Sequence, residues 1–146
     1  MLPRRDSANV GVKNGVWGED VAVEYLRRTG FQIVDRNSCP VERDRRLEID
    51  LVAWDPKSDA MVFVEVKQHK ARSLRQRRLR SVDRHKQELL RTACRTWLRR
   101  NGWKGAYRFD VVEVYGTPQA RQKVEIDHIE RVRLFENERK FINWAD

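Results

Sequence analysis

The chain has 146 residues, 40% of them hydrophobic and 36% charged, which is enough for one domain with its own core but not comfortably for two. No apolar run approaches the ~18 residues of a membrane-spanning helix, Met1 to Val12 lacks the apolar stretch of a secretory signal, and two cysteines make neither a disulfide framework nor a cysteine zinc site. The net charge of +9 points to a polyanionic partner, Trp97 and Leu98 are too few for a strong membrane-insertion face, and a soluble, reducing, cytoplasmic setting is the expectation.

Residues 1–12 read as a flexible arm, 13–135 as a single domain and 136–146 as a tail. The first helix is predicted from Val16 to Thr29, because Val21, Ala22, Tyr25 and Leu26 fall at helical spacing and Gly30 supplies a stop. Phe31 to Asp35 alternates like a short strand, and Ser38 to Arg45 is a polar connection. Leu47 to Trp54 and Met61 to Lys67 are strands joined by the turn residues Asp55-Pro56-Lys57-Ser58-Asp59, which makes them a hairpin. Ala71 to Arg80 reads as a basic loop. Val82 to Arg100 is a long amphipathic helix with Leu89, Leu90, Ala93, Trp97 and Leu98 as its apolar stripe, ended by Asn101-Gly102. Two further strands, Tyr107 to Tyr115 and Lys123 to Ile129, complete an order α-β-β-β-α-β-β. That order fits an α/β domain with a mixed sheet flanked by helices.

The positive charge is concentrated. Between Gln68 and Arg100 lie twelve bases (Lys70, Arg72, Arg75, Arg77, Arg78, Arg80, Arg84, Lys86, Arg91, Arg95, Arg99 and Arg100) against two acids, Asp83 and Glu88, a net +10, whereas the remainder of the chain sums to −1. One segment therefore carries the whole excess, the electrostatic footprint of a nucleic-acid partner. Lys70 to Arg91 is the stretch expected to grip phosphates. A solvated, charge-rich helix is the plainer reading of the same residues.

Two apolar strands carry charges that burial alone would disfavour. Glu48 and Asp50 share one face of the second strand, and Glu65 and Lys67 share one face of the third. A hairpin that sets Asp50 beside Glu65 brings two anions together, and a divalent cation relieves their repulsion. Hard oxygen ligands of this kind suit Mg²⁺ or Mn²⁺. A structural ion pair, with Lys67 neutralising Glu65 or Asp50 at the sheet edge, is the alternative. His69, His85 and His128 show no metal-ligand spacing, which argues against zinc. The tryptophans read as packing, with Trp103, beside the basic helix, as the one candidate for stacking on a base.

Asp50 followed by Glu65-Val66-Lys67 resembles the PD-(D/E)xK signature of nucleases with the restriction-endonuclease-like fold. More closely, the chain resembles the YraN family of small bacterial proteins. The matching pieces are Gly18-Glu19-Asp20-x-Ala22 with Tyr25-Leu26, Gly30-Phe31-x-Ile33, Arg36-Asn37, Glu48-Ile49-Asp50-Leu51-Val52, Val62-Phe63-Val64-Glu65-Val66-Lys67, Val82-Asp83-x-x-Lys86, Arg108-Phe109-Asp110-Val111-Val112 and His128-Ile129. They run in order from about Gly15 to Phe135. The resemblance implies a restriction-endonuclease-like core and a metal-dependent nuclease acting on DNA, branched forms included, as junction resolvases do. It implies that Asp50, Glu65 and the Val66 carbonyl hold Mg²⁺ or Mn²⁺, that Lys67 is the catalytic lysine, and that Glu19 approaches the metal from the first helix. Gln68 resembles the glutamine that some nucleases of this fold use to orient the scissile phosphate. Dimerisation follows by analogy with the symmetric resolvases. The chain departs from the family at Leu47, where glycine is usual, at Gln68-His69, where Thr-Arg is usual, and in its Arg-rich loop. A nucleic-acid-binding module with an idle nuclease site is the alternative function.

Overall fold

The computed structural model describes residues 14–40, 47–71 and 84–135. The elements are α1 (Asn14–Arg28), β1 (Gln32–Ser38), β2 (Ile49–Asp55), β3 (Ala60–His69), α2 (Arg84–Arg100), β4 (Ala106–Tyr115) and β5 (Glu125–Ile129). The strands form one sheet in the order β1-β2-β3-β4-β5. Among the described strands only β3 and β4 run parallel. A parallel neighbour needs a crossover, and α2 lies in it. The architecture is the expected α/β one, a mixed five-stranded open sheet with two helices.

Both helices stop on glycine. After α1 the Gly30 N–H bonds to the Arg27 carbonyl and the Phe31 N–H to the Leu26 carbonyl. After α2 the Gly102 N–H bonds to Arg99 and the Trp103 N–H to Leu98. Gly30 and Gly102 hold φ at +99° and +62°, which a residue with a Cβ adopts only at a cost. The β2–β3 turn is closed by Asp55, whose carboxylate accepts the Lys57 N–H at 3.1 Å and the Ser58 hydroxyl at 2.7 Å.

Side-chain alternation divides the sheet into two faces. On one face Ala22, Val23 and Leu26 of α1 pack with Leu51, Ala53, Val62, Val64, Val112 and Val114. On the other, Leu90, Ala93, Cys94, Trp97 and Leu98 of α2 pack with Val52, Met61, Phe63, Phe109 and Val111, and Val132, Leu134 and Phe135 close that core. Cys94 is a buried core residue and Cys39 a half-buried one, neither of them in a disulfide.

Several boundaries differ from the sequence reading, and pairing explains each. β1 continues to Ser38 because Arg36 and Ser38 pair with Leu51 and Ile49, past an irregularity between Ile33 and Asp35. The polar run Asp35-Arg36-Asn37 hides that continuation from hydrophobic alternation. β2 starts at Ile49 rather than Leu47. β3 extends to His69 because parallel pairing carries it to Tyr115 of β4. The expected basic loop from residue 72 onward, the arm 1–12 and the tail 136–146 lie outside the described residues.

Candidate metal centre

Strand pairing brings the predicted acidic pair together. β2 and β3 are antiparallel with Leu51 opposite Val64, so Asp50 falls opposite Glu65, one position further on, near the start of β2. Asp50 Oδ2 accepts the backbone N–H of Val66 at 2.8 Å, in place of a ladder carbonyl. That bond turns the carboxylate across the strand end and leaves it within hydrogen-bonding reach of Glu65.

The surroundings set the charge states. Burial first, then the neighbouring Glu65 charge, pushes the Asp50 carboxyl up to about 8, against the single favourable bond from Val66. Two carboxylates this close do not both ionise readily without a cation. Burial and the Lys86 ammonium together hold Lys67 below the ordinary lysine range, opposed by Glu65, Glu113 and Asp50. Glu19, in the second turn of α1, is also raised, chiefly by burial, and accepts a hydrogen bond from the Asn37 side chain. Asn37 reaches it from a left-handed backbone conformation, φ +49°, which asparagine tolerates better than most residues.

Two lysines serve this cluster. Lys67 stands two positions beyond Glu65 on the same face of β3. Lys86, at the start of α2, places its ammonium 3.1 Å from Glu65 Oε1. The donor set, two carboxylates that already draw a proton and an ammonium, fits a hard divalent cation.

The structure adds a group that sequence reasoning missed. Glu113 pairs with Lys67 across β3 and β4 and is 1% exposed. Its Oε2 accepts the Tyr115 hydroxyl at 3.1 Å, its Oε1 lies 3.5 Å from His69 Nε2, and the His69 and Tyr115 rings stack at 5.0 Å. A buried charge on β4 flanked by Val111 and Tyr115 was the available signal. Only the parallel register reveals that it faces Lys67.

Other predicted residues sit elsewhere. Gln68 is on the opposite face, beneath α1: a Cβ built on Gly18 would lie 2.6 Å from Gln68 Oε1. It is therefore not beside Lys67. Among the basic residues, Lys70 and Arg84 are exposed. Arg91 donates to the Leu134 carbonyl at 3.0 Å and so holds the C-terminal segment on α2. Arg72, Arg75, Arg77, Arg78 and Arg80 lie outside the described residues. Trp103 donates its indole N–H to the Ala106 carbonyl and packs edge-on against Trp54.

A second polar cluster occupies the α1 face. Arg108 is 3% exposed and bonds to Asp110 and Asp55, each at 3.0 Å. Asp110 also accepts from His128 Nε2 at 2.8 Å and from the Arg131 N–H, and Tyr25 meets His128 Nδ1 at 3.0 Å. Asp110, His128 and Glu130 offer ligand atoms within 4.8 Å of one another, so the set could hold a metal ion. His128 and Glu130 stand two residues apart along the chain, but only the β4–β5 pairing brings Asp110 to them. The Arg108 guanidinium balances part of this negative charge, at 3.0 Å from Asp110 and 3.9 Å from Glu130.

Among the described residues no helix is long and apolar enough to cross a membrane. Residues 18–114 match the model of the uncharacterised protein family UPF0102. Relatives named UPF0102 protein include one from Chromohalobacter salexigens, 38% identical over 77% of this chain and 86% of its own length. One from Solibacter usitatus is 40% identical over 77% and 80%, and one from Pelobacter propionicus is 34% identical over 84% and 81%. The matched stretch includes Glu19, Asp50, Glu65, Lys67, Lys86 and Glu113.

Proposed function

This chain belongs to the uncharacterised protein family UPF0102, the YraN family, and on that footing we propose that it is a metal-dependent nuclease of the PD-(D/E)xK type. The observation that carries the reading is the meeting of Asp50, Glu65 and Lys67 at one end of the β2–β3 pair, with Asp50 fixed by the Val66 N–H. Asp50 and Glu65 would hold Mg²⁺ or Mn²⁺, together with the Val66 carbonyl that the resemblance adds. Such an ion lowers the pKa of a bound water and neutralises charge developing on a phosphate. Lys67 holds the attacking water or the phosphate oxygen by its ammonium, kept in place by Glu65 and Glu113. Glu19 adds a further carboxylate at the rim. The basic segment from Lys70 through Arg84 grips the backbone, which gives affinity without sequence readout.

DNA is the favoured substrate and branched DNA the favoured form, both through the resemblance. The test is cleavage of labelled linear duplex, single strand, flap and four-way junction with Mg²⁺ or Mn²⁺. The wild type should cut at least one of them. Asp50→Ala and Lys67→Ala should each lose at least 100-fold, in line with the several kcal/mol that such groups supply. Binding without cutting, indifferent to both substitutions, would favour the second reading, a nucleic-acid-binding module with an idle site. The Lys86–Glu65 pair is the observation on that side, since it already satisfies one of the two carboxylates.

A further inference from the structure

We infer that Lys86 is a built-in counter-cation of the metal centre, an ammonium that holds the place on Glu65 which a divalent ion must take over. The inference rests on the reading of Asp50 and Glu65 as metal ligands and assigns the residue against which the metal competes.

Three observations carry it. The first is position: Lys86 Nζ lies 3.1 Å from Glu65 Oε1, on the oxygen of a carboxylate whose neighbour is Asp50. The second is contrast in burial. The Glu65 side chain is 11% exposed and that of Lys86 46%. The acid is thus fixed inside the strand pair, while the base reaches it from solvent on a long, flexible stem. Withdrawing the ammonium returns it to water, where its half-exposed stem already reaches. Leaving the buried carboxylate without any cation costs far more. The third is redundancy. Lys67 already lies beside Glu65, Asp50 and Glu113, so the cluster keeps an ammonium when Lys86 departs.

These features separate a counter-cation from a permanent brace. A brace would hold Glu65 in the geometry the metal needs, and its removal would weaken metal binding. A counter-cation competes, and its removal would strengthen binding. The position of Lys86 at the first turn of α2, in the basic segment, lets the released charge turn outward without moving the helix.

The experiment is calorimetric titration of Mn²⁺, without nucleic acid, into wild type, Lys86→Met, Lys86→Arg and Glu65→Gln. Because Lys86 is exposed, its substitutions leave the fold intact, which circular dichroism verifies. Lys86→Met should bind Mn²⁺ about three- to tenfold tighter, the equivalent of removing a competing pair of about 1 kcal/mol. Lys86→Arg should stay near wild type, and Glu65→Gln should lose binding. Equal or weaker affinity in Lys86→Met, with binding still lost in Glu65→Gln, would overturn this inference and leave the metal centre standing. Absence of Mn²⁺ binding from all four proteins would overturn both.

Discussion

Asp50 lies one position beyond the last paired residues of β2 and β3, Leu51 and Val64, and its side chain accepts the Val66 N–H. That placement explains how a carboxylate is held beside Glu65 with so little compensation. It has a consequence for stability. The folded-state pKa of Asp50 is about 8, against 3.8 for the group in its ordinary setting. Between those values the folded protein holds a proton that the unfolded chain releases, so stability falls as pH rises across this window and levels off above it. Thermal unfolding in the presence of a chelator should therefore show a lower Tm at pH 8.5 than at pH 5. Asp50→Asn should remove the part of that drop due to this carboxyl. Mn²⁺ should raise the Tm of the wild type at pH 8.5, since a ligand of the folded state alone stabilises it. A pH dependence identical in wild type and Asp50→Asn would contradict the assignment.

The elements are tied together by unlike means on the two sides of the sheet. α2 is held by an apolar seam, with Trp97 edge-on to Phe63 at 5.7 Å, and burial of such side chains is the dominant stabilising contribution. The α1 side combines an apolar seam with the Arg108 network. There Asp55 of the β2–β3 turn, Asp110 of β4, the Arg131 N–H that follows β5, and Tyr25 of α1 through His128 all converge. Burial alone would raise Asp55, yet hydrogen bonds from Ser58, Arg108 and Lys57 hold it below the ordinary carboxylate range. Removing one partner of a buried pair leaves the other charge uncompensated. Asp110→Ala should accordingly destabilise the protein by about 3–5 kcal/mol, read as a lower urea midpoint. A loss under 1 kcal/mol would show that Arg108 finds another partner.

At the scale of the molecule, the proposed polyanionic partner rests on the charge distribution. Lys70 and Arg84 flank the segment that joins β3 to α2, and Lys86 stands beside the carboxylate pair. A polyanion lying across this end of the sheet would pass over the candidate metal centre. Duplex binding should weaken steeply with salt, and each phosphate contact removed should reduce the slope of log K against log salt by about 0.9. Lys70→Ala with Arg84→Ala should thus flatten the slope by nearly two while leaving Mn²⁺ affinity unchanged. A slope that does not move would place the polyanion on another surface.

Much of this protein is legible in its sequence. Helical and strand periodicity, the glycine stops and the Asp55 turn locate the elements, because those signals are local. Asp50, Glu65 and Lys67 stand out because charge on an apolar strand is costly wherever the strand ends up. The +10 segment is visible because net charge is independent of fold. Only the tertiary structure decided the rest. Glu113 meets Lys67 through a parallel register whose partners lie 46 positions apart by number. Gln68 turns away from Lys67 because adjacent strand residues point to opposite faces, and Gly18 leaves room for it there. Arg91 and Lys86 carry the same charge on one helix, yet one faces the Leu134 carbonyl and the other Glu65. Their roles depend on what the sheet and the C-terminal segment bring beneath α2, and the chain order near those two residues does not encode it.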